Sequence, residues 1–204
     1  MQFTAKFLLS AMSAEAFPTE ARTGGAPEVA FLGRSNVGKS SLLNSLLGEA
    51  AAKVSATPGR TRAINFFALH TGTSQKHAFT PTLVFADLPG YGYAKISRSI
   101  SAEWPKFIEP YLQDREQLAL CLCLVDTNIP PQASDTQLIQ ALQQMQRPLV
   151  VVGTKADKLS NNQLAKSVAA LRQAHGVDDL IPVSAKTNAG IKALWAAIAQ
   201  ATGE

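Results

Sequence analysis

Two spacings of apolar residues alternate along the chain. In "EVAFL", Val29 to Leu32 form a short unbroken apolar run, which reads as a buried strand. Lys39 to Leu47 follow, with Leu42, Leu43, Leu46 and Leu47 on or near one side, the spacing of a helix. "RAINFFALH" and "TLVFAD" are strand-like runs rich in aromatic and β-branched residues, with a turn expected over 71–80 between them. "LALCLCLVD" is almost wholly apolar, as a strand covered on both faces should be. "DTQLIQALQQMQ" places Leu138, Leu142 and Met145 at helical spacing. "PLVVVGTK" is another buried strand, Leu164, Val168 and Leu171 repeat the helical spacing, and "LIPVSA" is a short strand. Ile191, Leu194, Trp195 and Ile198 close the chain as an amphipathic helix, with Trp195 on its core side.

Strands alternating with helices predict an α/β protein: a mainly parallel sheet of about six strands with helices on both faces. Such a sheet holds its ligand at the carboxyl ends of its strands. Residues 48–60 read as a loop. Residues 1–27 form an N-terminal extension, partly flexible around the turn-like "TEARTGGAP", ahead of one domain over 28–204. Phe3, Phe7, Leu8 and Leu9 are suited to pin its first residues to a groove or edge. "SAEWPKFIEPYL" predicts an irregular helix, because Pro105 and Pro110 interrupt normal hydrogen bonding, with Trp104 and Tyr111 as packing anchors.

Composition narrows the class. The 204 residues are enough for one good core, and 46% apolar content excludes a disordered chain. Lys and Arg number 19 against 15 Asp and Glu, a mild excess of +4 that is compatible with a nucleic-acid partner without establishing one. Cys121 and Cys123, two apart, share one buried face, so no disulfide framework or metal cluster is expected and a reducing, cytoplasmic setting fits. The run "FLLSAM" is too short for a signal peptide core, and no stretch approaches the ~18 apolar residues of a membrane span, so no membrane insertion is expected. His70, His77 and His175 show no ligand spacing and read as loop or surface residues.

The chemistry sits in loops that follow the strands. "GRSNVGKS", Gly33 to Ser40, matches the phosphate-binding pattern Gly-x-x-x-x-Gly-Lys-Ser, between a strand and an apolar helix as that pattern requires. Gly33 and Gly38 let the backbone curl around an anion, with the amides of the loop and the helix N-terminus facing phosphate. Lys39 suits the β- and γ-phosphates, and Ser40 offers its hydroxyl to Mg²⁺. In "DLPG", Asp87 is suited to order the magnesium shell and Gly90 to offer its amide near the γ-phosphate. "TKAD" adds base selection: a carboxylate at Asp157 accepts from both N1–H and the C2 amine of guanine, a pair that adenine lacks. The Lys155 stem is suited to cover one face of the base, and "SAK" to supply a backbone amide to the guanine oxygen. A phosphotransferase, the competing class, would not explain "TKAD" and "SAK" together.

The order of "GRSNVGKS", a threonine loop, "DLPG", "TKAD" and "SAK" resembles the translation-factor-related class of P-loop GTPases. "GRSNVGKSSLLN", "TPGRTRAINFF" and "DLPGYGYAK" together resemble the EngB family over essentially the whole chain. The resemblance implies a three-layer P-loop NTPase fold that binds GTP and GDP with Mg²⁺. It also implies a monomer whose partner is the large ribosomal subunit or its precursor, through rRNA and ribosomal proteins, with a role in normal division and septation. The contacts it implies are Gly33, Arg34, Ser35, Asn36, Val37, Gly38, Lys39 and Ser40; then Gly59, Arg60, Thr61, Arg62 and Ala63; then Asp87, Leu88, Pro89 and Gly90; then Thr154, Lys155, Ala156 and Asp157; then Val183, Ser184 and Ala185. Ser40 and Thr61 would ligate Mg²⁺, with Asp87 behind a water; Thr57 competes with Thr61 for the switch role.

Catalysis departs from the commonest pattern. Many hydrolytic GTPases place a water-orienting glutamine after the glycine of this motif. This chain has Tyr91, Gly92 and Tyr93, a departure the family shares, so the resemblance implies slow hydrolysis, partner-stimulated, or a binding module with negligible turnover. In some related GTPases an asparagine at the position of Asn36 helps hold K⁺; the alternative is that Asn36 only serves the loop's backbone angles. Lys53, Arg60, Arg62, Lys95, Arg98 and Lys106 make either a basic rim for rRNA or ordinary surface charge.

Overall fold

The computed structural model describes residues 3–47, 63–71, 80–91, 106 and 108–203. Its strands are β1 (Phe3–Ala11), β2 (Glu28–Gly33), β3 (Ile64–Thr71), β4 (Leu83–Asp87), β5 (Leu118–Asp126), β6 (Leu149–Thr154) and β7 (Leu180–Pro182). Its helices are α1 (Glu20–Thr23), α2 (Lys39–Leu47), α3 (helical over 108–114), α4 (Ala133–Gln144), α5 (Asn161–His175) and α6 (Ile191–Thr202). The strands form one sheet in the order β1-β3-β4-β2-β5-β6-β7. β3 runs antiparallel to β1 and β4, and every other pair is parallel. This is the mostly parallel, helix-flanked sheet of the P-loop NTPase fold.

Among the described residues the sheet has seven strands rather than about six, and the addition comes from the segment read as an N-terminal extension. From Phe3 opposite Thr71 to Ala11 opposite Ile64, that segment pairs along the edge of β3. A register shift between Phe7 and Leu9 breaks the alternation of faces, which hid the strand from a period-two reading. Phe3 reaches across to stack on Trp195 of α6 at 4.9 Å, so the phenylalanine does pin the edge. Trp195 is itself half-buried, stacked on Phe85 as well at 5.7 Å.

Strand alternation explains the two cores. On β2, Ala30 and Leu32 face one layer, with Ile108, Tyr111, Ile139, Leu142 and Leu171 from α3, α4 and α5. Val29 and Phe31 face the other, with Leu42 and Leu43 of α2 and Leu194 and Ile198 of α6. All six residues of β2 are buried, and the four after Glu28 form the unbroken apolar run, Val29 to Leu32. Cys121 and Cys123 lie together in the first layer as buried free thiols.

A buried ion pair ties the base of the sheet together. Glu28, at 0% exposure, accepts from Arg115 at 2.5 to 3.1 Å and from the Tyr111 hydroxyl at 2.9 Å. Arg115 also donates to the Pro18 carbonyl at 2.7 Å, joining the N-terminal segment to the end of α3. Pro110 lies inside α3.

The histidines depart from expectation. His175 is buried at the end of α5, its Nδ1 2.8 Å from the Thr136 hydroxyl, because the α4–α5 contact covers it. His70 is half-buried within β3, and His77 lies outside the described residues. Among the described residues no cluster of three or more His, Cys, Asp or Glu side chains could hold a metal ion, and no helix is long and apolar enough to cross a membrane.

Candidate nucleotide-binding site

Four parallel strands, β2, β4, β6 and β7, deliver four loops to one rim. β2 ends at Gly33, β4 at Asp87 and β6 at Thr154, and the register of the sheet sets Phe31 beside Asp87 and Asp126 beside Thr154.

After β2 the chain turns tightly, with Val37 N–H donating to the Arg34 carbonyl at 3.1 Å. Asn36 has φ of +66° and Gly38 +105°; the second is a value that only glycine adopts easily. α2 then starts at Lys39, with Leu42 N–H bonded to the Gly38 carbonyl. The loop amides and the first turn of α2 therefore make a concave donor surface suited to an anion. The Ser40 hydroxyl-bearing side chain is exposed at this end of the helix.

The Lys39 ammonium is ion-paired with the Asp87 carboxylate, each side chain 10% exposed. Leu88 is buried, and its N–H donates to the Phe31 carbonyl at 3.2 Å. Gly90 lies flat on the phosphate loop: a Cβ there would sit 3.1–3.2 Å from Ser35 atoms. Tyr91 then pairs with the loop, its carbonyl accepting from Ser35 N–H at 2.9 Å.

The β6 end is built from side chains. Thr154 Oγ1 lies 2.6 Å from the Val37 carbonyl and 3.1 Å from the Val125 carbonyl, so this buried hydroxyl ties the loop to the sheet. Lys155 takes a left-handed backbone, φ +60°, and its ammonium donates to the Asn36 carbonyl at 2.8 Å and to Asp126 at 2.6 Å. Burial raises the Asp126 carboxyl, but the hydrogen bonds from Lys155 and Asn128 outweigh it and leave it below its ordinary value. Asp157 is exposed, and Ser184 Oγ donates to it at 2.6 Å. That bond, above all, holds the Asp157 carboxyl below the usual carboxylate range. Ser184, wholly buried, also accepts from the amides of Lys186 and Thr187 at 3.2 and 3.1 Å. Ala156 N–H donates to the Val183 carbonyl at 3.1 Å, which brings the two base-side loops together.

So Gly33 to Ser40, Asp87 to Gly90, Thr154 to Asp157 and Val183 to Ala185 gather at one end of the sheet. Ala63 is buried at the entry to β3; Gly59, Arg60, Thr61 and Arg62, with Thr57, Lys53, Lys95, Arg98, Gly92, Tyr93 and Trp104, lie outside the described residues. Lys106 is exposed. Asp126 and Asn128 were not singled out from sequence, though Asp126 ends an apolar strand at the rim where ligands bind. Asn188, which accepts from Ser45 of α2 at 3.0 Å, carries no sequence signal.

Comparison with known proteins gives the family and the fold. Residues 28–155 match the family model described as 50S ribosome-binding GTPase. The chain is 59% identical over 204 residues to a probable GTP-binding protein EngB from Acidobacterium capsulatum, covering all of this chain and 93% of the relative. It is 48% identical over 203 residues to its counterpart from Koribacter versatilis, covering 96% of that protein. Among solved structures, the crystal structure of a probable GTP-binding protein engB superposes with a TM-score of 0.66 at 22% identity, over 86% of this chain and 98% of the other. An Era variant from Aquifex aeolicus bound to GDP.AlF4- gives a TM-score of 0.64 at 25% identity, over 88% of this chain and 57% of the other.

Proposed function

The chain belongs to the EngB family of GTP-binding proteins with a ribosome-related GTPase function, and from that premise we propose that it is a guanine-nucleotide switch whose GTP-bound form holds a precursor of the large ribosomal subunit. The carrying observation is the pairing of Asp157 with Ser184 on a rim that also bears the phosphate loop. An exposed carboxylate kept ionised accepts two hydrogen bonds from guanine N1–H and the C2 amine. The Lys155 stem, fixed by Asn36 and Asp126, covers one face of the base. The related Era variant bound to GDP.AlF4- supports a guanine nucleotide as the ligand class.

The family binds GTP with Mg²⁺. The donor set fits that ion: a small, strongly hydrated cation is held by one or two protein oxygens, waters and phosphates rather than by a cage. Ser40 would supply the protein oxygen, Thr61 a second with GTP, and Asp87 would order a water. Bound Mg²⁺ would neutralise phosphate charge. Phosphates entering the loop would draw Lys39 from Asp87 towards the β- and γ-oxygens. Gly90 would present its amide to the γ-phosphate. Tyr91 occupies the position after Gly90, and its hydroxyl is engaged with Asp135 at 2.9 Å, away from a water-orienting role, which fits slow hydrolysis stimulated by a partner. Asn36, exposed and left-handed, is where K⁺ would act in a related GTPase; replacing K⁺ by Na⁺ in a turnover assay tests it.

The test is sedimentation with large-subunit precursor particles in three states: non-hydrolysable GTP analogue, GDP and no nucleotide. Retention with the GTP analogue and release with GDP is the expected result. Equal retention in all three would overturn the switch.

A further inference from the structure

The residue after Gly90 is held at both ends. At its backbone, Tyr91 extends the sheet by one step against the phosphate loop: its carbonyl accepts from Ser35 N–H at 2.9 Å and its N–H faces the Gly33 carbonyl at 3.4 Å. At its tip, the hydroxyl donates to Asp135 Oδ1 at 2.9 Å, in the first turn of α4. Burial, followed by the Asp135 charge, pushes the Tyr91 hydroxyl far above its ordinary value, so it remains a donor. Asp135 is only 3% exposed, close to Arg34 and His175, and the next residue, Thr136, contacts His175. The turn of α4 that carries the carboxylate is therefore held against α5 by its neighbour Thr136.

We propose that Asp135 is a positioning residue for the γ-phosphate-sensing loop: by anchoring the Tyr91 hydroxyl to α4, it holds Gly90 in place against Ser35 before nucleotide binds. This inference rests on the guanine-nucleotide reading of the site. GDP has no γ-phosphate and asks nothing of Gly90. GTP does, and a loop already in place loses less conformational freedom on binding. Asp135 and Tyr91 thus favour triphosphate over diphosphate, without either touching the nucleotide. It also gives the tyrosine at the glutamine position a use: an anchor in place of a water-orienting group.

The experiment measures affinities of the full chain for GDP and for a non-hydrolysable GTP analogue, with Mg²⁺, in wild type, Tyr91→Phe, Asp135→Ala and the double variant. Tyr91→Phe keeps the ring and the backbone pairing, so it tests the hydroxyl alone if Asp135→Ala unfolds the protein. The expected result is a loss of about three- to tenfold in affinity for the analogue, the size of one net hydrogen bond, with GDP affinity unchanged. The double variant should lose no more than either single one, because both remove the same bond. A merely structural pair would lower the melting temperature and move both affinities together. An unchanged ratio, a ratio shifted towards the analogue, or additive losses would overturn the proposal. A wild type that bound neither nucleotide would overturn the site reading, and this inference with it.

Discussion

Ser184 Oγ lies 2.6 Å from Asp157 Oδ1, joining the loop after β6 to the loop after β7. One wholly buried hydroxyl thereby orients the exposed carboxylate and accepts two amides of its own loop. Ser184→Ala should weaken GDP binding roughly five- to thirtyfold. The pH dependence should also move. A carboxyl held below its ordinary value stays charged to lower pH, so guanine affinity in the wild type is lost only as pH falls through that lowered value. In Ser184→Ala the acid-side loss should begin at higher pH. Calorimetric titration of GDP across the acid range checks both.

Lys39 and Asp87 carry opposite charges in a nearly closed site. Lys39→Ala leaves a buried carboxylate without this partner and should cost the nucleotide-free protein about 3 kcal/mol. It should also remove most of the rise in melting temperature that GDP and Mg²⁺ give the wild type. Thermal melts with and without GDP separate the two effects.

Arg115 makes a contrasting prediction at the other end of the sheet. Arg115→Met strands the Glu28 carboxylate at 0% exposure and should destabilise the fold by about 3–5 kcal/mol. The ratio of GDP to GTP affinity should stay at the wild-type value, since Glu28 is at the amino end of β2 and the phosphate loop at its carboxyl end. Urea unfolding gives the first quantity and nucleotide titration the second.

Much of this was legible in the sequence where local chemistry dictates local structure. Val29 to Leu32 and Leu120 to Val125 are buried on both faces, and that alone writes an unbroken apolar run. The phosphate loop was legible because glycine at Gly38 and a lysine opening a helix have few other uses in that order. β1 was not legible: a bulge after Phe7 breaks its alternation, and it depends on β3, far along the chain. Asp126, Asp135 and His175 were missed for a related reason. Each acquires its role from a partner 29 to 44 residues away, Lys155, Tyr91 and Thr136 respectively, and no local spacing encodes such contacts.

Base selection by Asp157 is the claim on which the rest depends, and one substitution tests it directly. Guanine offers two donors to a carboxylate, whereas xanthine has a carbonyl at C2 and needs a donor there. Asp157→Asn supplies that donor. Calorimetry of wild type and Asp157→Asn against GDP and xanthosine diphosphate should show the preference reversed, with GDP weakened at least about a hundredfold in the variant. Retention of the wild-type preference for guanine in Asp157→Asn would contradict the account.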